Sequence, residues 1–276
     1  MLPVTKNEEI KLNLPSFNVD GELHKKLNDH PLLSLMNRHF AAAFIGRAGS
    51  GKTSLLTGLF ATKKCLKKVF HKVIMFIPPN SMASVKNSIF HDLPEEQIIS
   101  ELTLQTLQEQ FALVEEIAQK GKNTCIIFDD VQQFYKGETE HLLTHMVNNR
   151  RHNRLSLMFV AQSYIKMPRS IRQALTDLFI FKISKSDFLR IYQELVEVEE
   201  ARFQILLEMF KNSKLKSFLY INVPTQRSFL NWDEVHIDDV TQTDSHGADG
   251  KQQKVGSDDS NPRVPHGKLE SVMPRG

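Results

Sequence analysis

A glycine-rich octet at residues 46–53, GRAGSGKT, has the residue types and the spacing needed to hold a phosphate group. It fits the pattern GxxxxGK[ST] at every fixed position. Glycine lets the backbone approach a phosphate closely, so that the amide hydrogens of residues 49–53 can converge on its oxygens at a helix N-terminus. Lys52 is then expected to reach the β- and γ-phosphates, and the Thr53 hydroxyl to bind Mg²⁺. The residues predicted to bind the nucleoside triphosphate are Gly46, Arg47, Ala48, Gly49, Ser50, Gly51, Lys52, Thr53 and Ser54.

An acidic pair, Asp129 and Asp130, follows the apolar segment TCIIF at residues 124–128. An apolar strand that ends in acidic residues is the expected partner of a phosphate loop, and Asp129 is predicted to hold Mg²⁺ directly or through water. Asp130 stands where such ATPases usually place the carboxylate that polarises the attacking water, although most of them use glutamate there. The alternative is that both aspartates cap the next helix.

A polar residue, Gln162, closes the apolar segment at residues 155–160. Side chains at the carboxyl end of a buried strand point into the ligand crevice of an open α/β sheet. Gln162 is therefore predicted to sense the γ-phosphate or the attacking water. The alternative is an amide that is satisfied at the end of its strand.

Alternating apolar and amphipathic segments predict the elements that position these residues. Strands are predicted at residues 40–45, 73–77, 124–128, 155–160 and 178–183, and helices at 102–120, 139–149 and 170–177. Residues 187–211 are predicted to form one long helix, or two helices broken near Val198, and residues 81–101 a loop. Two closing strands, 217–222 and 228–232, are predicted to pair across Pro224. Apolar strands that alternate with helices favour an α/β fold with a mostly parallel sheet.

The length and composition predict a globular protein of the cell interior. The chain has 276 residues, 41% of them hydrophobic, and a net charge of +3. Its two cysteines stand in no metal-binding or redox spacing, and neither a membrane-spanning segment nor a signal peptide is visible. We expect an N-terminal extension (1–37), one domain (38–232) and a disordered polar tail (233–276), because the tail lacks periodic apolar residues.

Lysines are concentrated in the segment after the phosphate-loop helix, at positions 63, 64, 67, 68 and 72. One interpretation is a solvated helix end. The other is a patch that contacts the phosphates of DNA or RNA. The sequence leaves both open.

The order of these motifs resembles the FtsK–HerA class of DNA-pumping ATPases, and most closely its viral branch of poxvirus-type genome-packaging ATPases. The resemblance covers residues 38–225. Its specific part lies in residues 148–185, where three features are similar: Arg-Arg-His before the strand at 155–160, Ala-Gln-Ser at its end, and the run Pro-Arg-Ser-Ile-Arg before the next strand. Asp-Asp after the strand at 124–128 fits the viral branch better than the cellular members.

The resemblance implies a three-layer α/β sandwich of the additional-strand ATPase type, with the strand at 155–160 between the phosphate-loop strand and the strand at 124–128. It implies that residues 46–53 bind ATP and Mg²⁺, that Asp129 and Asp130 are the Walker B residues, and that Gln162 is the sensor. The family also uses an arginine finger supplied across a subunit interface, for which Arg151 and Arg172 match equally well.

The implied function is that of an ATP-hydrolysing translocase that packages double-stranded viral DNA into a capsid. The implied assembly is a ring, a hexamer or pentamer, that meets a capsid or packaging-vertex protein in the host cytoplasm, a viral factory or the virion. Cellular members carry extra DNA-tracking domains that this chain lacks, so loops of the core would have to grip DNA.

Three other functions remain as alternatives. A GTPase switch would need a guanine-reading Asn/Thr-Lys-x-Asp element, which the sequence does not contain. A nucleotide or small-molecule kinase would need an arginine-rich lid, for which residues 166–172 are short. An assembly protein that binds ATP for a structural purpose stays possible in principle, because Asp130 replaces the usual glutamate.

Overall fold

The computed structural model describes residues 35–36, 38–63, 65–84, 89–196, 200–212 and 217–235. Most of the predicted N-terminal extension, Lys64 and all of the tail beyond Val235 lie outside these residues. Within the described residues, no helix combines the length and the apolar character needed to cross a lipid bilayer.

Nine strands form one sheet across the described residues. Its order is β3-β2-β4-β5-β1-β6-β7-β8-β9, with β1 to β6 parallel and β7 to β9 antiparallel. The strands are β1 (Ala41–Ile45), β2 (Lys72–Phe76), β3 (Ile98–Ile99), β4 (Thr124–Asp129), β5 (Leu155–Ala161), β6 (Asp177–Ile180), β7 (Leu219–Asn222), β8 (Arg227–Leu230) and β9 (Asp233–Val235). The predicted α/β class is confirmed, and β5 lies between β1 and β4 as expected.

Helices connect the parallel strands and cover both faces of the sheet. They are α1 (Lys52–Ala61), α2 (Pro79–Ser84), α3 (Leu104–Gln119), α4 (Gly137–Asn148), α5 (Arg169–Gln173), α6 (Lys185–Leu195) and α7 (Glu200–Asn212). Strand β1 shows how the layers form. Ala41, Ala43 and Ile45 belong to the core under α3 to α7, whereas Ala42 and Phe44 belong to the core that contains α1. Because both faces are buried, the strands read as continuous apolar runs rather than as alternating ones.

The described residues of the stretch predicted as a loop, 81–101, contain the end of α2, two short 3₁₀ helices (Ile89–Asp92 and Glu95–Gln97) and strand β3. Helix α2 begins at Pro79, a residue that suits the first turn of a helix because its missing N–H has no partner there anyway. Strand β3 has two residues, which is too short for a hydrophobic pattern to reveal. The helix predicted at residues 170–177 ends at Gln173, and the strand predicted at 178–183 begins at Asp177 and ends at Ile180. Another difference lies at the end of the domain. Strand β9 pairs with β8, so regular structure extends to Val235, past the predicted start of the polar tail at 233.

Arginine and histidine side chains pack around the amino-terminal ends of β1 and β5. Arg150 donates from Nε to the carbonyl oxygen of His39 at 3.0 Å and from Nη1 to that of Val147 at 2.7 Å. His39 is only 4% exposed and adopts φ of 58°. Burial, followed by the charges of Arg38, Arg154 and Arg150, lowers the pKa of His39 to about 4. The folded protein therefore holds this imidazole neutral.

We expect the free energy of unfolding to fall as the pH falls from 7 to 5, in part because of His39. Its folded pKa lies below the ordinary 6.5, so the unfolded chain binds more protons between pH 6.5 and 4. The His39 contribution to this loss is about 2 kcal/mol. Urea unfolding at both pH values should show a smaller loss for His39→Asn, because asparagine tolerates the positive φ. The exposed His152, changed to asparagine, is the matched control, and equal losses in wild type and His39→Asn would contradict the assignment.

Candidate functional site

The glycine-rich octet forms the turn between β1 and α1 at the carboxyl edge of the sheet. Gly49 and Gly51 have φ of 72° and 106°, values that strain residues with a side chain. At Gly46 a Cβ atom would lie 2.6 Å from the Cβ of Phe181, so this glycine lets the loop pack against the end of β6. The predicted strand–loop–helix context of the octet is therefore present.

Lys52, the first residue of α1, folds its side chain back over this loop. Its Nζ donates to the carbonyl oxygens of Gly46 at 2.6 Å and Arg47 at 3.0 Å. Burial lowers the pKa of Lys52, while the nearby Asp129 and Asp130 act in the opposite direction. The ammonium group is thus held in the hollow of the loop, facing two carboxylates.

Asp129 is the last residue of β4 and forms the opposite wall. Its backbone pairs in register with Val160 of β5, and its side chain is only 6% exposed. Burial raises the pKa of Asp129 to about 6, helped by the charge of Asp130 and opposed by Lys52. A buried carboxylate whose charge is incompletely compensated is suited to receive a cation.

Asp130 is positioned by hydrogen bonds rather than by a helix. Its φ is 56°, and its backbone N–H donates to the carbonyl oxygen of Val160 at 3.2 Å. Gln162 donates from Nε2 to Oδ1 of Asp130 at 3.1 Å, and Ser81 donates from Oγ to Oδ2 at 3.5 Å. The helix-capping alternative finds no support, because Lys136 holds the N-cap position of α4.

These residues converge on one cleft of about 160 Å³. It is lined by Ala48, Gly49, Lys52, Thr53, Ser81, Asp129, Asp130, Val160, Ala161 and Gln162. Four of the predicted nucleotide-binding residues thus line the cleft together with the acidic pair and Gln162, whereas Gly46, Arg47, Ser50, Gly51 and Ser54 are not part of its lining. Ser81 was not predicted, because it lies in α2, within the segment that the sequence indicated as a loop.

The donor set of the cleft fits a triphosphate with a hard divalent cation. One wall offers backbone N–H groups and an ammonium, which bind phosphate, and the other offers carboxylate oxygens, which Mg²⁺ prefers. The Ser50 hydroxyl, inside the loop, is buried without a hydrogen-bond partner among the described residues. A phosphate bound in the loop would accept a hydrogen bond from this hydroxyl and give it the partner that buried polar groups normally have.

The two candidate arginines lie outside this cleft. Arg172 of α5 is 8% exposed, forms an ion pair with Glu194 at 3.2 Å, and lies 5.0 Å from the ring centre of Tyr164. Arg151 is partly exposed and precedes β5, whereas Gln162 follows it. Within one chain, Arg151 and the cleft are therefore at opposite ends of the same strand.

A buried carboxylate that the sequence analysis missed, Asp187, holds the loop that carries Gln162. Its Oδ1 accepts from Ser163 Oγ and from the backbone N–H of Ile165, both at 2.9 Å, and its Oδ2 accepts from Ser184 at 2.8 Å. At the other end of α6, Tyr164 donates to Glu194 at 3.0 Å. Ser184 and Asp187 have the three-residue spacing of a helix N-cap and its partner. This spacing is the sequence signal that could have pointed to Asp187.

The chain is similar to known proteins in family and in fold. A model of the family described as Poxvirus A32 protein matches residues 29–234. No curated protein sequence matches this chain. Solved structures with a similar fold include the genome packaging NTPase B204 from Sulfolobus turreted icosahedral virus 2 in complex with AMP, at 16% identity, covering 71% of this chain and 98% of that chain, with a TM-score of 0.56.

Two further structures of B204 are similar to the same extent. The complex with ATP-gammaS has 15% identity, covers 71% of this chain and 98% of that chain, and gives a TM-score of 0.54. The structure described as B204, the DNA-packaging ATPase from Sulfolobus Turreted Icosahedral Virus, has 15% identity. It covers 73% of this chain and 100% of that chain and gives a TM-score of 0.55. At these identities the similarity shows a shared fold.

Proposed function

This chain belongs to the poxvirus A32 protein family, whose model matches residues 29–234, and from that premise we propose that it is an ATPase that moves double-stranded viral DNA into a capsid. The observation that carries the proposal is the cleft in which Lys52 and Thr53 face Asp129, Asp130 and Gln162. B204, which shares the fold, is described as a DNA-packaging ATPase and has been solved with ATP-gammaS and AMP. We infer the same class of ligand here.

Each residue of the cleft has its own role in phosphoryl transfer. The Lys52 ammonium stabilises the negative charge that develops on the phosphate oxygens, from a position already fixed by Gly46 and Arg47. Thr53 and Asp129 would hold Mg²⁺, which when bound neutralises phosphate charge. Asp130 orients the attacking water by accepting its hydrogen bond.

Gln162 links the arrival of a γ-phosphate to the availability of Asp130. In the structure its amide occupies Oδ1 of Asp130, one of the two oxygens that could accept from water. We propose that a γ-phosphate draws the Gln162 amide toward itself and releases this oxygen. Asp130 would then have more of its acceptor capacity available for the attacking water when the triphosphate is in place.

The arginine that completes the site is proposed to come from a neighbouring subunit in a ring of five or six. Arg172 is buried against Glu194 and Tyr164 of its own chain, which makes Arg151 the better candidate. Arg151 lies at the amino edge of its own sheet, so it can serve only a cleft in another subunit. A head-to-tail contact of this kind closes into a ring when the rotation allows. The proposed docking partner of the ring is a capsid or packaging-vertex protein. Docking would take place in the host cytoplasm, in a viral factory or in the virion.

The proposal is tested by the rate of ATP hydrolysis as a function of protein concentration, with and without double-stranded DNA. A ring with shared sites should show turnover per subunit that rises with concentration and rises again with DNA. A DNA duplex of scrambled sequence should stimulate equally well, because a translocase contacts the backbone. Turnover per subunit that depends neither on protein concentration nor on DNA would contradict the motor function. It would favour a kinase or an ATP-binding assembly protein.

A further inference from the structure

The loops at the amino edge of the sheet form a continuous row across four neighbouring strands. The N–H of His71, before β2, donates to the carbonyl oxygen of Asn123 at 2.9 Å, and the N–H of Thr124 donates to that of Arg154 at 3.1 Å. Arg150 in turn donates to the carbonyl oxygen of His39 at 3.0 Å. The connections before β2, β4, β5 and β1 therefore touch in that order, which is also the order of the strands.

Basic residues dominate this row, which we call the amino-edge row and define as residues 38–40, 62–63, 65–71, 120–123 and 149–154. None of these residues is aspartate or glutamate. Its lysines and arginines are Arg38, Lys63, Lys67, Lys68, Lys120, Lys122, Arg150, Arg151 and Arg154. The segment of lysines noted in the sequence is thus one end of a larger surface.

Within the described residues, few acidic groups compensate this charge. Glu116 pairs with Lys120 at 2.5 Å, and Asp177, the first residue of β6, is fully buried among Thr176, Tyr220 and Asn222. Lys63, Lys67 and Lys122 are exposed. Coulomb repulsion among such groups is unfavourable unless an anion covers them.

The opposite edge of the sheet carries charges of both signs. The cleft contributes Asp129 and Asp130 there, and Lys136, Lys166 and Lys185 are exposed in the segments that follow β4, β5 and β6. The amino-edge row, which contains no aspartate or glutamate, is therefore the more uniformly basic of the two edges.

We propose that the part of the amino-edge row before β2 and β4, residues 62–63, 65–71 and 120–123, contacts the phosphate backbone of double-stranded DNA, while Arg151 at the other end of the row faces the neighbouring subunit. This inference rests on the proposed function, which supplies DNA as the partner. The lysines at positions 63, 67, 68 and 122 are exposed in this part of the row and supply the positive charge for contacts with phosphates. Backbone contacts of this kind carry no sequence preference, as a motor requires.

The test compares two triple variants in a DNA-binding titration by fluorescence anisotropy at several salt concentrations. The first variant replaces Lys63, Lys67 and Lys122 of the row with glutamine. The second, its matched control, replaces the lysines at positions 136, 166 and 185, which are also exposed and lie outside both the row and the cleft lining. Both remove the same charge from the intact chain.

The row variant should bind duplex DNA at least tenfold more weakly at 100 mM salt, and its plot of log K against log salt should be shallower by about 3. ATP turnover without DNA should match wild type, which shows that the variant folds and that its cleft is intact. The control variant should bind as wild type does.

Each other result overturns the inference. If wild type binds DNA and the two variants bind it equally well, the row is excluded as the DNA-contacting surface. The proposed function is not contradicted by this result. Failure of wild type to bind a duplex even at low salt would remove the DNA partner and, with it, both proposals. Tighter binding of polyglutamate than of DNA at equal charge would show that the row takes an acidic protein instead.

Discussion

ATP turnover is expected to fall at least 100-fold when Lys52 is replaced by alanine. Its ammonium is held over the phosphate loop by the carbonyl oxygens of Gly46 and Arg47, so it meets developing charge without having to reorganise. Removing one such pre-positioned donor costs roughly 100-fold to 1,000-fold in turnover. The measurement is the steady-state rate of phosphate release at saturating ATP and DNA.

Lys182→Ala is the matched control for this experiment. Lys182 also donates from Nζ to a backbone carbonyl oxygen, that of Lys211 at 2.9 Å, but does not line the cleft. Thermal unfolding of both variants should establish that they fold. A Lys52→Ala protein that keeps more than a tenth of the wild-type rate would contradict the assigned role of this lysine.

Arg151→Ala is expected to lower turnover by about 1,000-fold or more, because an arginine finger is worth 10³ to 10⁵ in rate. Mixing this variant with Lys52→Ala should restore activity, since each protein lacks a different half of a shared site. If subunits exchange at random in head-to-tail contacts, about a quarter of the sites regain both halves. The assay is turnover of the mixture against that of each protein alone.

Arg172→Ala supplies the contrasting variant for the mixing experiment. Its removal leaves Glu194 with the longer contact to Arg190, at 3.9 Å, as its guanidinium partner among the described residues, so a lower melting temperature and no gain of turnover on mixing with Lys52→Ala are expected. Restoration by Arg172→Ala, with none by Arg151→Ala, would reverse the assignment of the finger. Restoration by neither would argue against a site shared between subunits.

The sheet was predictable because its strands are buried on both faces. A strand such as β4, with the sequence TCIIFD, carries no alternation and is recognisable from its continuous apolar run and its polar end. The place of β5 between β1 and β4 came from the family resemblance rather than from any pattern in the residues. Strand order depends on long-range pairing, which a local pattern does not encode.

The residues missed at the site were those held by tertiary contacts. Ser81 meets Asp130 across 49 positions of sequence, and Asp187 meets Ser163 across 24. Serine and aspartate at helix starts are common as caps, so nothing in their local sequence distinguishes them. The sequence likewise did not distinguish Arg151 from Arg172, because the ion pair of Arg172 with Glu194 is invisible in one sequence.

Helix α6 is fastened to the loop after β5 at both of its ends. Asp187 in its first turn binds Ser163 and Ile165, and Glu194 near its last turn binds Tyr164. A helix of 11 residues is about 16 Å long and stiff, so a movement of this loop carries the helix with it as one body. Leu189 and Arg190, which lie between the two attachment points, are exposed. A displacement of the loop that carries Gln162 therefore reaches the protein surface through α6.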